Sequence, residues 1–179
     1  AISISRLLLL NYHPDILQGR ENVLAIMFDM NSLWERFAVA SLRKSFRKNS
    51  CPYLLESQCV RDFWVPINAR ARTIRPDILI RFSPDNNSVE RTVILDTKWK
   101  NVEKNKDISL DILRQMYVYH EYFNADKVAI VFPGEMGAIS GKYVNQEKVD
   151  LLERKCALLP VPVGDSIEDL QSNIFKVIN

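Results

Sequence analysis

The chain has 179 residues, enough for one domain with a hydrophobic core, and its 47% apolar and 26% charged content is typical of a globular rather than a disordered protein. The net charge of +2 is too small to predict a polyanionic partner by itself. No apolar run approaches the roughly 20 residues of a membrane-spanning helix, so we expect no membrane association.

The cysteines and the N-terminal segment indicate a cytoplasmic protein. Cys51, Cys59 and Cys156 are odd in number and form no Cys-x-x-Cys pair, which argues against a disulfide framework and against a zinc site. The N-terminal segment lacks the small-residue cleavage site of a signal peptide. The chain begins with Ala1 rather than Met, and we interpret it as a fragment of a longer protein.

Two helical segments come first in the chain. A short helix is expected from about Ile2 to Leu10. A stronger helix is predicted to begin at Asp29 and to end before Pro52. It has an acid near its N-terminus and basic residues near its C-terminus, the arrangement that the helix dipole favours.

Three strand-like runs follow that helix, at about 57–65, 72–82 and 91–100. The Ser-Pro-Asp-Asn-Asn-Ser segment before the third run is typical of a hairpin turn. The later elements are expected to be a helix at about 109–123, a buried strand at 128–132, strands near 143 and 157–163, and a helix after 165.

This order of elements predicts an α/β fold, in which a mixed β-sheet is flanked by helices. We expect a single domain with three parts. They are an N-terminal helical extension at 1–27, a core that carries the candidate site at 28–135, and a C-terminal strand and helix at 136–179 that complete the fold.

The segment V-I-L-D-T-K-W-K, residues 93–100, places an acid and a base on one strand. Side chains alternate along a strand, so Asp96 and Lys98 point to the same face. The preceding run contains Pro76-Asp77, and pairing of the two runs as a hairpin brings Asp77 close to Asp96. Two carboxylates held together repel unless a cation joins them, and hard oxygen ligands suit Mg²⁺.

Lys98 completes a set that can hydrolyse a phosphodiester. Its ammonium group can orient or help to deprotonate a water, or stabilise charge that develops on a phosphate. The competing interpretation is an ordinary surface ion pair between Asp96 and Lys98. The presence of Asp77 on the neighbouring strand favours metal-assisted hydrolysis.

The two long helices carry further polar side chains near their apolar faces. Glu35 falls inside the apolar arc of the first helix, where it either binds a cation or pairs with a nearby Arg. Gln115 and Tyr119 lie one turn apart at the edge of the apolar arc of the second helix. Gln115 is a candidate for contact with a base, a phosphate or a metal-bound water. For Tyr119 both a core position and a DNA contact stay open.

Basic residues cluster around Pro76-Asp77, which suits phosphate contacts, although a solvated basic face explains the cluster equally well. The candidate DNA-binding residues are Arg70, Arg72, Arg75, Lys100 and Tyr119. The segment P-G-E-M-G-A-I-S-G-K-Y is similar to a phosphate-binding loop, but Met136 and Tyr143 occupy two positions that the loop requires for Gly and for Ser or Thr. No nucleotide site is predicted there.

Three motifs in this order, F-D-M-N-S-L-W-E-R-F-A, R-P-D-I-L-I and V-I-L-D-T-K-W-K, resemble the McrC proteins, nuclease subunits of the McrBC 5-methylcytosine restriction system. Pro76-Asp77 with Asp96-Thr97-Lys98 also resembles the core motif of the PD-(D/E)xK nuclease superfamily. Gln115 to Tyr119 is similar to the Gln-x-x-x-Tyr element of some branches. The similarity runs through most of the chain from about Arg6.

The resemblance implies Mg²⁺-dependent cleavage of DNA, with Mn²⁺ as a substitute. It makes Asp77 and Asp96 metal ligands, and Lys98 the catalytic base or charge stabiliser. Glu35 becomes an accessory acid and further ligand, and Gln115 an auxiliary near the metal or the DNA. It also implies a separate AAA+ GTPase of the McrB type that recognises methylated DNA, and a motor-contacting region that this chain does not fully include.

Two alternatives stay open. One is a nuclease-fold module that binds DNA or a partner without cutting, and the other is a repair or transposition nuclease of the same superfamily. The complete set of Asp77, Asp96 and Lys98 favours a cutting enzyme over a binding module.

Overall fold

The computed structural model describes residues 29–48, 53–83, 90–102, 104, 107–145, 150–162 and 168. The expected helix at 2–10, the rest of the expected N-terminal extension, most of the hairpin turn and nearly all of the expected terminal helix lie outside these residues. The described elements are α1 (Met30–Lys48), β1 (Tyr53–Ser57), β2 (Arg61–Trp64), β3 (Arg72–Ile74), β4 (Ile78–Phe82), β5 (Arg91–Thr97), α2 (Leu110–Tyr122), β6 (Lys127–Pro133), β7 (Ile139–Val144) and β8 (Asp150–Val161).

Helix α1 begins where the sequence predicts. The backbone N–H of Ser32 donates to Asp29 Oδ1 at 3.1 Å, and the Ser32 hydroxyl donates to Asp29 Oδ2 at 2.7 Å. An acid that accepts from the first turn satisfies N–H groups that have no partner inside the helix. Arg47 and Lys48 lie in the last turn, where the helix dipole favours cations.

Helix α2 also agrees with the prediction. Ser109 is its N-cap, and the Ser109 hydroxyl accepts from the backbone N–H of Ile112. Phe123 is its C-cap. The helix buries Met116 and Tyr119, which lie on one face because they are three residues apart.

Six strands form a mixed sheet in the order β1-β4-β5-β6-β8-β7. The β1–β4, β4–β5 and β7–β8 pairs are antiparallel, and the β5–β6 and β6–β8 pairs are parallel. The predicted α/β class is confirmed. The segment after residue 135 contributes β7 and β8 to this same sheet.

The two faces of the sheet pack against different helices. Val93 and Leu95 of β5 join a core cluster with Trp34 and other residues of α1. Ile94, which points the other way, joins a second cluster with Met116 of α2. Strands that are covered on both faces have nearly continuous apolar sequences, which explains the apolar sequences of β5 and β6.

Two of the predicted strands are wrong in extent, because each contains a break. The run 72–82 is divided into β3 and β4 around Pro76, which has no N–H to donate to a sheet. The run 57–65 is divided between β1 and β2, and Gln58 lies at the break with a positive φ of 55°. Strands β2 and β3 pair with each other as a separate two-stranded sheet.

Part of the segment that is similar to a phosphate-binding loop lies in β7, an edge strand of the sheet. Gly141 and Lys142 lie within β7, where they pair with Cys156 and Lys155 of β8. A paired strand cannot wrap around a phosphate as a loop does, so this part of the segment does not have the conformation of a phosphate-binding loop. Among the described residues, none of the helices has the length and apolar character needed to cross a membrane.

Candidate functional site

The β4–β5 hairpin brings two acids together. Ile78 pairs with Leu95, so Asp77 and Asp96 occupy the next positions outward on the two strands. Asp77 Oδ2 accepts from the backbone N–H of Thr97 at 2.7 Å and from its hydroxyl at 2.9 Å. These two bonds fix the Asp77 carboxylate beside the end of β5, where Asp96 lies.

The Asp96 carboxylate is almost completely buried, with 1% of the residue exposed. Lys98 Nζ lies 2.6 Å from Asp96 Oδ2. The same oxygen has no partner of good hydrogen-bond geometry among the described residues, so the contact is an ion pair rather than a well-formed hydrogen bond. Burial raises the pKa of Asp96 to about 6, the Asp77 carboxylate adds to this, and Lys98 opposes it.

Lys98 is held in place from both sides of its backbone. Its N–H donates to the Val131 carbonyl at 2.9 Å, which extends the β5–β6 pairing by one step. Trp34 Nε1 donates to the same carbonyl at 3.2 Å, and the N–H of Trp99 donates to Asn31 Oδ1 at 3.0 Å. The N-terminal half of α1 therefore fixes the chain around Lys98.

Glu35 of α1 is half-buried and reaches the site through Gln58. The Gln58 side-chain amide donates to Glu35 Oε1, and the Gln58 N–H donates to the Asp77 carbonyl at 2.9 Å. Burial raises the pKa of Glu35, the Gln58 hydrogen bond opposes this, and the Asp77 carboxylate adds to it. The partner of Glu35 is thus a neutral amide rather than the Arg that the sequence left open.

Sequence reasoning did not find Gln58. Nothing in its local sequence marks it, because its role depends on the register that places the end of β1 beside the start of β4. Its left-handed backbone is also uncommon for a residue with a side chain. A residue in such a conformation beside two acids is a reasonable functional candidate.

Gln115 and Tyr119 form a chain of hydrogen bonds that supports the backbone before Asp77. The Gln115 amide donates to the Tyr119 hydroxyl at 2.7 Å, and that hydroxyl donates to the Arg75 carbonyl at 3.0 Å. Tyr119 is only 2% exposed. Burial raises the pKa of its hydroxyl to about 12, with added contributions from Asp96 and Asp77. Its burial gives no support to direct DNA contact, which stays a prediction.

The predicted DNA-binding cations have different surroundings. Arg70, Arg72 and Arg75 are exposed on β3 and its flanks. Lys100 is half-buried, and its ammonium group donates to the Asp107 carbonyl. The three arginines are therefore available to a phosphate, while Lys100 is engaged within the protein.

The donor set fits one kind of metal ion. Across the described ranges, no three His, Cys, Asp or Glu side chains form a cluster able to hold a metal, so Glu35 does not complete one with Asp77 and Asp96. Mg²⁺ is commonly held by one or two carboxylates and takes its other ligands from waters and substrate phosphates. The paired carboxylates, one with an oxygen that lacks a good hydrogen bond, fit that mode and do not fit an all-protein cage. The role of Glu35 as a ligand stays a prediction.

Comparisons with known proteins agree with the motifs. A family model described as "McrBC 5-methylcytosine restriction system component" matches residues 1–133. No curated protein matches the chain. A chain in a structure of Thermococcus gammatolerans McrB AAA+ hexamers with bound McrC, a half-complex from a tetradecameric assembly, is similar with a TM-score of 0.54 and 22% identity. The match covers 84% of this chain and 33% of that one, and at this identity it shows the fold alone.

Proposed function

The chain belongs to the family of McrBC 5-methylcytosine restriction system components, and from that premise we propose that it carries the Mg²⁺-dependent DNA-cleaving centre of such a system. One observation carries the proposal. Asp77 and Asp96 meet at the end of the β4–β5 hairpin with Lys98 Nζ 2.6 Å from Asp96. This set resembles that of the PD-(D/E)xK nucleases, in the order of that motif.

Each residue has a role that follows from its position. Asp77 and Asp96 would hold Mg²⁺, or Mn²⁺ in its place, and the bound ion supplies Lewis-acid charge at the scissile phosphate. Thr97 orients the Asp77 carboxylate through two hydrogen bonds. The Lys98 ammonium, placed beside Asp96, is positioned to stabilise negative charge that develops on the phosphate during attack by water.

The remaining candidates support this centre from the sides. Gln115 acts through Tyr119 on the backbone that leads into Asp77. Glu35 adds a third acid near the pair and raises the pKa of Asp96. A phosphodiester that approaches the site adds another negative charge. A bound cation is needed to offset the repulsion among these charges.

The division of labour with a motor is also part of the proposal. The similar structure contains McrB AAA+ hexamers with bound McrC. In the described part of this chain, the sequence most similar to a phosphate-binding loop lies partly in strand β7. We therefore assign nucleotide hydrolysis and recognition of methylated DNA to a partner of the AAA+ GTPase type, and phosphodiester hydrolysis to this chain.

The experiment is cleavage of methylated plasmid in Mg²⁺ or Mn²⁺, with and without the GTPase partner and GTP. Wild type is compared with Asp96→Asn and Lys98→Ala, and with Arg47→Ala as a control at an exposed cation of α1. We expect cleavage by wild type and by the control, and loss of cleavage in both site variants while circular dichroism shows intact folding. Cleavage retained by both site variants would contradict the assigned centre.

One observation favours a second candidate, a module that binds without cutting. The described residues contain no cluster of three metal-ligating side chains. If the wild-type protein binds methylated DNA but does not cut it with partner, GTP and either metal, this second candidate replaces the first.

A further inference from the structure

The two-stranded sheet of β2 and β3 exposes an unusual amount of apolar surface. We call residues 60–74 the ribbon. Of the nine large hydrophobic side chains exposed in the described residues, five lie in the ribbon between positions 60 and 67. They are Val60 (49% exposed), Phe63 (51%), Trp64 (60%), Val65 (68%) and Ile67 (100%). Exposed apolar groups in such a concentration mark an interaction surface.

The foot of the ribbon is fixed to the domain. Ile74 is buried in the core cluster that contains Met116. The Tyr122 hydroxyl of α2 donates to the Asp62 carbonyl at 2.6 Å, and the rings of Phe63 and Tyr122 lie 5.8 Å apart. At the far end, residues 64–70 are exposed except for the half-buried Pro66.

The ribbon begins and ends at the candidate site. Gln58, two residues before it, donates its N–H to the Asp77 carbonyl. The backbone carbonyl of Arg75, directly after it, accepts from the Tyr119 hydroxyl. At about 3.3 Å per residue, the four residues of β2 place the far end of the ribbon roughly 10 to 13 Å from its start at Arg61. That distance corresponds to about three or four base pairs of a duplex held at the carboxylates.

The charge of the ribbon complements DNA. Arg70 and Arg72 are exposed and take part in no ion pair among the described residues, whereas Arg61 pairs with Glu56. Trp64 and Arg72 are partners across the two strands, so their side chains project from the same face. Guanidinium groups bind phosphate oxygens, and the ribbon starts and ends beside the carboxylates that would meet a phosphodiester. Exposed Arg70 and Arg72 among exposed aromatic and aliphatic side chains at that position therefore favour a nucleic acid.

We propose that the ribbon grips the DNA beside the cleavage centre, with Arg70 and Arg72 on phosphates and Trp64 and Ile67 inserted between base pairs. The inference rests on the proposed function for its substrate. Insertion of apolar side chains unstacks bases and bends the duplex. Ile67 would act as an apolar wedge, and the Trp64 ring would in addition stack on a base.

The first test measures the salt dependence of DNA binding in full-length protein carrying Asp96→Asn, so that cleavage does not interfere. Each lost phosphate contact reduces the slope of log K against log salt by about 0.9. Arg70→Ala with Arg72→Ala is therefore expected to reduce it by about 1.8. Arg47→Ala with Lys48→Ala removes the same charge from α1 and should leave the slope unchanged. Equal changes in the two double variants would overturn the phosphate contacts.

The second test detects insertion with 2-aminopurine placed in turn at each position near the cleavage point. Unstacking by the ribbon should raise its fluorescence at one step. Trp64→Ala with Ile67→Ala should abolish that rise and weaken binding roughly tenfold or more. Leu110→Ala with Val144→Ala, at exposed apolar positions of α2 and β7, should change neither. Unchanged fluorescence and affinity in the ribbon variant would overturn the inference, as would loss of self-association or GTPase binding in that variant without loss of DNA binding.

The two proposals fail in different ways. Ribbon-dependent DNA binding without any cleavage by wild type would overturn the endonuclease and leave the ribbon. If cleavage requires Asp96 but the ribbon variants bind DNA as wild type does, the proposal for the ribbon is overturned and the proposal for the endonuclease stands.

Discussion

Asp96 combines a buried carboxylate with an acidic neighbour, and the cost of ionising it adds a pH dependence to the stability of the protein. Its pKa rises from an ordinary 3.8 to about 6. The folded protein therefore binds the proton more tightly than the unfolded chain does. Stability from this group is present at low pH and is lost as pH rises through about 6.

We predict that the free energy of unfolding, relative to Asp96→Asn, falls by up to about 3 kcal/mol as pH rises from about 4 to about 7.5. Urea denaturation at several pH values measures the difference between the two proteins. Asp111→Asn, at a side chain that is 87% exposed, is the control and should follow wild type. A constant difference between wild type and Asp96→Asn across this range would contradict the prediction.

The affinity for Mg²⁺ should depend on pH in the opposite sense, and rise with pH, if Asp77 and Asp96 hold the ion. A divalent ion binds the ionised carboxylates, so its affinity is expected to fall as pH drops through about 6. Isothermal titration of the metal-free protein at about pH 7.5 and about pH 5 measures the change. Asp96→Asn should lose the binding at both values, and pH-independent affinity would contradict the assignment.

A substitution at Gln58 can separate the effect of backbone strain on stability from the effect of its side chain on the position of Glu35. The left-handed backbone costs a residue with a side chain roughly 1 kcal/mol, and Gly adopts it freely. Gln58→Gly is therefore expected to remain within about 1 kcal/mol of wild type in unfolding free energy. It should nevertheless reduce cleavage, because Glu35 loses the amide that orients it. Wild-type cleavage by a stable Gln58→Gly protein would show that Gln58 has no part in positioning.

At the scale of elements, α1 acts as a brace for the end of β5. Trp34 is fully buried and donates to Val131, the carbonyl that also receives the Lys98 N–H. Trp34→Phe should lower the unfolding free energy by about 1 to 3 kcal/mol, because it removes a buried hydrogen bond and part of a ring. Trp64→Phe, at an exposed tryptophan, should change it by less than about 0.5 kcal/mol. Chemical denaturation distinguishes the two, and equal effects would contradict the brace.

The elements also show where sequence was sufficient and where it was not. The spacing of Asp29, the long apolar faces and the hairpin chemistry predicted α1, α2 and the β4–β5 pair, because those signals are local. The ribbon was missed, because its strands were read as parts of longer runs. Only pairing between β2 and β3, which is a non-local contact, distinguishes the ribbon from the main sheet.

At the scale of the whole molecule, the sheet is completed from beyond the region that the family model matches. That region ends at residue 133, at the end of β6, whereas β7 and β8 follow it. The β6 residues Val128 to Phe132 are buried on both faces, and β8 pairs along their length. Without β8, β6 becomes an apolar edge strand, which promotes aggregation.

We predict that a chain ending at residue 134 is insoluble or lacks cooperative unfolding. Coexpression of the remaining segment, as a separate chain, should restore soluble protein if the loss comes from the missing strands. Solubility and thermal unfolding measure both. A truncated chain that unfolds cooperatively alone would show that β7 and β8 are dispensable.

The hydrogen bond from the Gln58 N–H to the Asp77 carbonyl closes the neck of the excursion that contains the ribbon. Because the neck is closed by backbone atoms, and Ile74 and the Asp62 carbonyl are held by the domain, the outer residues 64–71 can be lengthened, shortened or exchanged while Asp77 stays in register with Thr97. The length and sequence of these outer residues are thus free to diverge while the positions of Asp77 and Asp96 stay constant. In engineering terms, residues 64–71 form a replaceable segment on a fixed base.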